Sequence, residues 1–220
     1  MADKKTNPVK DQDRVRDLFE HFEQYGDVMF RQQRAIYEYI ATQTRYKKVL
    51  EVGCGNGVGS AILAHGRSAG LLTASDVSHN NIKFARCLYP WITFIPLDVR
   101  LLVFNGVVED VVAVEVLEHV SDPQLAINNM VGAAKERVWI STPNGTNKPR
   151  PPENPYHVCE YTPDEVLGWL FKNQRVKFVN VLNWDNSQKY KHGAVCFPDG
   201  RHDPLLDLTD PLIYCATVGP

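Results

Sequence analysis

Between Lys47 and Thr142, short β-rich runs alternate with helical ones, and this alternation constrains the fold more than any other feature of the chain. The runs are "KKVLEVG", "GLLTASDV", "ITFIPLDV", "VEDVVAVEV" and "RVWIST", with helical patterns such as "NNIKFARCL" and "PQLAINNMVGAA" between them. Strands joined through helices pair in parallel and are covered on both faces, so the pattern predicts an α/β domain built on a doubly wound sheet. Two later runs, "VKFVNVLNW" and "PLIYCATVG", are separated by 27 residues rich in Asp, Gly and Pro, Asp185 to Pro211, with no helical pattern. They predict an antiparallel closing pair around a long excursion, giving seven strands in all.

Before Arg45, Val15, Leu18, Phe19 and Phe22 recur at helical spacing and "RQQRAIYEYI" continues it, which predicts two helices. The chain is therefore divided into an N-terminal helical extension or lid, residues 1–44, and a ligand-binding domain, residues 45–220. A length of 220 residues suits one α/β core with decorations. Phe19, Phe22 and Tyr25, like Trp169 and Phe171, are read as core rather than as a substrate lid. Basic and acidic residues are interleaved to a net charge of −2, so no long-range field draws polyanions to the surface. The five cysteines form no CxxC pair and are read as reduced packing residues of a cytoplasmic protein. Neither a signal-peptide h-region nor a stretch long enough to span a membrane is present, so a soluble, unsecreted chain is expected.

The first strand runs into "VLEVGCGNGVGS". In an open parallel sheet, such a strand-to-helix turn lies at the carboxyl edge, where ligands bind. A dinucleotide loop needs glycines at i, i+2 and i+5, but from Gly53 the third place is Val58 and from Gly55 it is Ser60. No GK[ST] follows, which excludes a Walker loop as well. A ligand with adenine and ribose but no pyrophosphate remains, with an amino-acid portion held by the loop. Asp76, nineteen residues after Gly57, stands where an acidic group accepts from ribose hydroxyls. Asp98, ending "FIPLDV", is offered to an exocyclic amine, with Val99 as apolar cover; the plainer reading of an Asp after a strand is a turn residue.

Six segments, "EVGCGNG", "SDVSHNNIKFAR", "IPLDV", "VVAVEVLEHVSDP", "ISTPN" and "HVCEYTPDEV", follow one another in order from about Lys47 to Asn173. In this the chain resembles the class I S-adenosylmethionine-dependent methyltransferases, whose fold is Rossmann-like, and among them the type 11 group that includes ubiquinone-pathway O-methyltransferases. The resemblance implies that Gly53, Gly55 and Gly57 lie against the methionyl part, with Glu51 ordering the loop. It places Asp76 at the ribose, Asp98 at the adenine and Arg34 at the cofactor carboxylate. Cys54, Val77, Val99 and Glu115 complete the set of residues expected around S-adenosylmethionine.

After the fourth strand comes "EVLEHV". Glu115, Glu118 and His119 stand at i, i+3 and i+4, spacings that share one face of a helical turn. His157 precedes a helix that Thr162 caps, with Pro163 in its first turn and Glu165 completing a capping box. Two carboxylates and two imidazoles without a thiolate suit Mg²⁺ or Mn²⁺, and Zn²⁺ less well. Such an ion helps a hydroxyl attack a sulfonium methyl by lowering its pKa and holding its oxygen. The pattern ExxEH with a later His is similar to that of two metal-dependent groups, the ubiquinone-pathway enzymes and the small-RNA 2′-O-methyltransferases.

A plainer reading of the same turn is that Glu118 caps a helix and His119 packs on the loop. Without a metal, His119 or His157 is the natural general base, with Glu118 beside them. His192, His202 and Asp203 in the excursion, and the clusters "RYKK" and "KYK", are read as solvated. The expected activity is O-methylation of a small catechol- or sugar-like molecule assisted by a divalent metal. An RNA terminal ribose is the second choice, since polyanion affinity rests on many Lys and Arg contacts. A metal-free N- or C-methyltransferase and a catalytically silent cofactor-binding partner are the alternatives.

Overall fold

The alternation becomes a single sheet in the computed structural model, which describes residues 31–65, 67–68, 70–103, 105–184, 190–201 and 212–219. The strands are β1 (Val49–Val52), β2 (Leu72–Asp76), β3 (Thr93–Pro96), β4 (Val108–Val114), β5 (Ala134–Thr142), β6 (Val176–Trp184), β7 (Tyr190–Cys196) and β8 (Leu212–Val218). Their order across the sheet is β3-β2-β1-β4-β5-β8-β6-β7. From β3 to β5 neighbours are parallel; β8 runs antiparallel between β5 and β6, and β7 is antiparallel on the far edge. Among the described residues the sheet therefore has eight strands rather than seven. The extra strand, "YKHGAVC", comes from the stretch read as an excursion without strands; its Gly, Lys and His hide the apolar alternation, and β6 alone pairs with it.

Among the described residues, five helices cover the sheet: residues 31–44 (α1), α2 (Val58–Ala64), α3 (His79–Leu88), α4 (Pro123–Ala133) and α5 (Pro163–Phe171). On one face Ile36, Tyr37 and Ile40 of α1, Leu63 of α2 and Ile82 and Ala85 of α3 pack against Val49, Val112, Val114 and Trp139. On the other face Ala126, Ile127 and Met130 of α4 and Val166 and Leu170 of α5 pack against Leu50, Val52, Val111 and Ala113. Successive side chains of a strand point to opposite faces, so β1 and β4 feed both cores in alternation. Strands buried on both sides read as unbroken apolar runs, as "VVAV" in β4 does. Trp169 and Phe171 are partly buried against the second core, with Trp169 edge-on to Tyr161 at 4.7 Å.

The helix starts follow local rules. Ser78 caps α3 through Asn81 N, Asp122 caps α4 through Leu125 N with Pro123 in the first turn, and Thr162 and Glu165 form the expected capping box on α5. Arg67, in the connection between α2 and β2, ties down the C-terminal end of α1 and the turn after it by donating to the carbonyls of Thr44 and Lys47. Cys54, Cys196 and Cys215 are buried, whereas Cys87 is exposed on α3 and does not pack as expected. No described helix is long and apolar enough to cross a membrane. The helical pattern at Val15 to Phe22, together with Tyr25, His202 and Asp203, lies outside the described residues, as does the side chain of His192.

Candidate active site

The order of strands reverses between β1 and β4, so the loops leaving their carboxyl ends diverge and open a crevice. After Val52 the chain passes through left-handed conformations at Gly53 (φ 71°), Gly55 (54°) and Gly57 (86°). Gly53 is needed on two counts, because a Cβ there would also stand 2.5 Å from Val116 Cγ2. Above Gly55, by contrast, no described atom lies within 4 Å of the position a Cβ would take. The backbone there borders open space.

Asp76 closes the loop. Its Oδ2 accepts from Gly55 N at 2.8 Å, and its Oδ1 accepts from Ser78 N at 2.8 Å and Asn81 Nδ2 at 3.3 Å. The residue expected at the ribose is thus also the clasp of the glycine turn. Val77 beside it is 67 % exposed and offers apolar surface at the same edge. Cys54 is buried, and burial together with the Glu51 and Asp76 carboxylates pushes its thiol up, so it is a packing group rather than a nucleophile.

Glu51 lies wholly inside the protein beneath this loop. Ser60 Oγ donates to its Oε2 at 2.6 Å, but Oε1 has no hydrogen-bond partner among the described residues. Burial drives the Glu51 carboxyl up to about 7, against the pull of the Ser60 and Tyr37 hydroxyls and with a further push from Asp76. Tyr37, from α1, covers the site; its ring fills the space where Gly59 has no side chain, and burial and the Glu51 charge push its hydroxyl up. An orphaned buried carboxylate oxygen beside a glycine turn suits a ligand that brings an ammonium group. The α-amino group of S-adenosylmethionine is such a donor, and the residues present fit it.

The other residues assigned to the cofactor are placed differently from one another. Asp98 caps a short 3-10 turn, and Arg100 binds its carboxylate through both Nε and Nη2, at 3.0 and 2.6 Å, holding it below the usual carboxylate range. It plays the turn role here. Val99 is buried next to it. Arg34 is not brought to the glycine turn: it sits on the exposed face of α1 and pairs with Glu38 one helical turn away at 2.7 Å. Arg34 lies on α1 but not on the face that looks inward; Tyr37 occupies that face.

On the β4 side, Glu115 adopts φ 54°, a left-handed conformation rare outside glycine. Ser141 holds it there, accepting from Glu115 N at 3.2 Å and donating to Glu115 Oε1 at 2.6 Å. A 3-10 turn, Leu117–His119, follows. Glu118 is buried, its Oε2 accepts from Thr142 Oγ1 at 3.0 Å, and burial with the neighbouring Glu115 charge pushes its carboxyl well up. His119 Nδ1 is 2.8 Å from the Tyr156 carbonyl, and its ring meets that of His157 edge-on at 5.0 Å. One ligand atom each from Glu118, His119 and His157 lies within 4.8 Å of the other two. Three of the four expected metal ligands are therefore gathered. Glu115 is not in the group, because its turn directs the carboxylate to Ser141.

Residues that sequence reasoning missed support those it found. Ser60, Tyr37, Ser141 and Thr142 hold the buried carboxylates, and nothing in their local sequence marks them. Glu160 and Asn154 were accessible to it in principle, since both stand three residues from His157 and bond to its ring. Val116 links the two halves of the site, touching Gly53 while standing two residues from Glu118.

A family model described as a methyltransferase domain matches residues 50–141, from β1 into β5. A probable S-adenosylmethionine-dependent methyltransferase of Mycobacterium tuberculosis is 28% identical over 147 residues, 64% of this chain and 53% of that protein. The ubiquinone biosynthesis O-methyltransferase of Rickettsia felis is 30% identical over 133 residues, 57% of this chain and 51% of that protein. The chain thus spans about half the length of these relatives. Among solved structures, a TehB-like S-adenosylmethionine-dependent methyltransferase from Corynebacterium glutamicum superimposes with a TM-score of 0.64 at 15% identity, covering 96% of this chain and 100% of that one, a likeness of fold. The glycine turn, the clasping Asp76 and the loop that leaves β4 all lie within residues 50–141, the stretch that matches the methyltransferase-domain family model, and over that stretch the chain is similar to S-adenosylmethionine-dependent methyltransferases.

Proposed function

We propose that this protein transfers the methyl group of S-adenosylmethionine to a hydroxyl of a small molecule, with a divalent cation assisting at Glu118, His119 and His157. The observation that carries the reading is the convergence of those three side chains at the carboxyl edge, beside the glycine turn that Val116 contacts. S-adenosylmethionine supplies an electrophilic sulfonium methyl when bound. The residues then have to hold donor and acceptor in line and keep the acceptor oxygen reactive. Gly53 to Gly57 and Glu51 serve the donor side, with Glu51 Oε1 open to an ammonium.

The donor set on the acceptor side is one carboxylate and two imidazoles. It fits a divalent cation, and with Glu115 turned away it suits Mn²⁺ better than Mg²⁺, which favours oxygen ligands. Such an ion lowers the pKa of a hydroxyl. Tyr156 and Val158 flank His157 with 45 % and 54 % exposure and present apolar surface suited to a ring-bearing acceptor. Arg100 and Arg150 near the cluster are committed to Asp98 and Glu165. That favours a neutral acceptor over a phosphate-bearing RNA end.

The reading is tested by methyl transfer from labelled S-adenosylmethionine to catechol-like, sugar-like and RNA-end acceptors, with EDTA and with added Mn²⁺. We expect transfer to a small diol, its loss in EDTA and its return with Mn²⁺. Full activity in EDTA contradicts the ion, and transfer confined to RNA ends contradicts the small acceptor.

A further inference from the structure

We propose that Glu160 and Asn154 are positioning residues that fix the tautomer of His157 from both ends, leaving Nε2 as its ligand atom and the Asn154 amide as that atom's occupant until a ligand displaces it. The proposal rests on the site described above, but its core concerns a proton position that exists with or without a metal.

Tyr156 N donates to Asn154 Oδ1 at 3.0 Å, which identifies the oxygen of that side chain. Its Nδ2 therefore faces His157 Nε2, at 3.0 Å. An amide nitrogen can only donate, so Nε2 must present its lone pair. At the other end of the ring, Glu160 Oε1 stands 2.9 Å from Nδ1. A carboxylate accepts, so Nδ1 carries the proton. Both bonds require the same tautomer, and the opposite one satisfies neither.

The frame that supplies these bonds is itself fixed. The side chains of His157 and Glu160 are each 13% exposed, which limits competition from water. The Glu160 carbonyl accepts from Arg150 Nη2 at 3.3 Å, and Gly145 packs so closely that a Cβ there would stand 2.4 Å from that carbonyl oxygen. Val158 N donates to the Glu118 carbonyl at 2.6 Å, tying the same segment to another member of the cluster. His119 follows the same rule: its Nδ1 donates to the Tyr156 carbonyl, which makes Nε2 the acceptor nitrogen, 4.0 Å from Glu118 Oε1. One segment, Asn154 to Glu160, thus sets the proton position of both imidazoles. A carboxylate or carbonyl behind a histidine orients it toward a metal in this way and raises its basicity.

The test pairs nitrogen-15 NMR of the histidine side chains in the metal-free protein with calorimetric titration of Mn²⁺. In the wild type, neutral His157 is expected to carry its proton on Nδ1. Glu160→Ala should shift the proton toward Nε2 and weaken Mn²⁺ binding by about 10- to 100-fold, while S-adenosylhomocysteine affinity stays unchanged. Glu160→Gln retains an acceptor for the Nδ1 proton and should keep the wild-type tautomer. Asn154→Ala should strengthen Mn²⁺ binding, because the competing amide is gone. A wild-type His157 protonated on Nε2, or a tautomer indifferent to Glu160→Ala, overturns the proposal. If the tautomer follows Glu160 but no variant takes up Mn²⁺, the metal-assisted reading fails and the positioning role stands.

Discussion

The two loops that face each other across the switch point are built on opposite principles. The loop after β1 is mostly backbone: three left-handed glycines, an aspartate clasping the amide of the middle one, and below them a buried carboxylate with one oxygen that no described protein group satisfies. The loops after β4 and β5 are mostly side chain, and their polar atoms are bonded to one another: Glu118 to Thr142, His119 to Tyr156, and His157 to both Asn154 and Glu160. The first loop leaves a polar need that a ligand can meet. The second is already oriented, and a ligand must exchange for a bond that exists. A donor that is bound and released each turnover suits the first arrangement, and an acceptor site that needs fixed geometry suits the second.

Substitutions on the two sides should therefore separate turnover from cofactor binding. The largest effect is expected from Glu118→Ala and His157→Ala, which should lower kcat by about 10²–10⁴-fold and leave the S-adenosylmethionine affinity as it is; equal losses in both would erase the distinction. On the other side, Gly53→Val places a branched side chain against Val116 in a left-handed position. It should weaken cofactor binding by about 100-fold without disturbing Mn²⁺ uptake, both measurable by calorimetry.

Glu51→Gln sharpens the contrast through pH. The folded Glu51 carboxyl titrates near 7 against an ordinary 4.5. As pH rises across that window, the unfolded chain loses the proton that the folded chain keeps, so this group lowers stability progressively and the loss levels off above 7. The Gln variant should accordingly be more stable than the ligand-free wild type by about 3 kcal/mol above the window and equal to it below, while binding S-adenosylmethionine less tightly. Denaturant titrations at the two ends of the window measure this. The smallest effect is expected from Arg34→Ala, since an exposed i,i+4 pair contributes little; cofactor affinity should change by less than about twofold.

What was legible in the sequence follows the same division. Backbone-built features leave local marks. The glycines, the aspartate at the end of the second strand and the strand–helix alternation all stood in the sequence, and the parallel half of the sheet was read from them. Features made by side chains from distant segments leave none. Ser141 turning Glu115 away from the other ligands depends on β5 lying beside β4, and Tyr37 displacing Arg34 from the inner face of α1 depends on which face Gly59 admits. Asp98 caps a turn at the end of the third strand, and Arg100 two residues on is close enough to hold its carboxylate. The eighth strand was missed because an edge strand paired on one side tolerates polar residues that an inner strand does not.

The most direct measurement is calorimetry of S-adenosylhomocysteine with the wild-type protein near pH 7, in buffers of different ionisation heat. The account predicts one site per chain and the release of a proton from Glu51 as the ligand's ammonium meets its open oxygen. No association at millimolar ligand would contradict it.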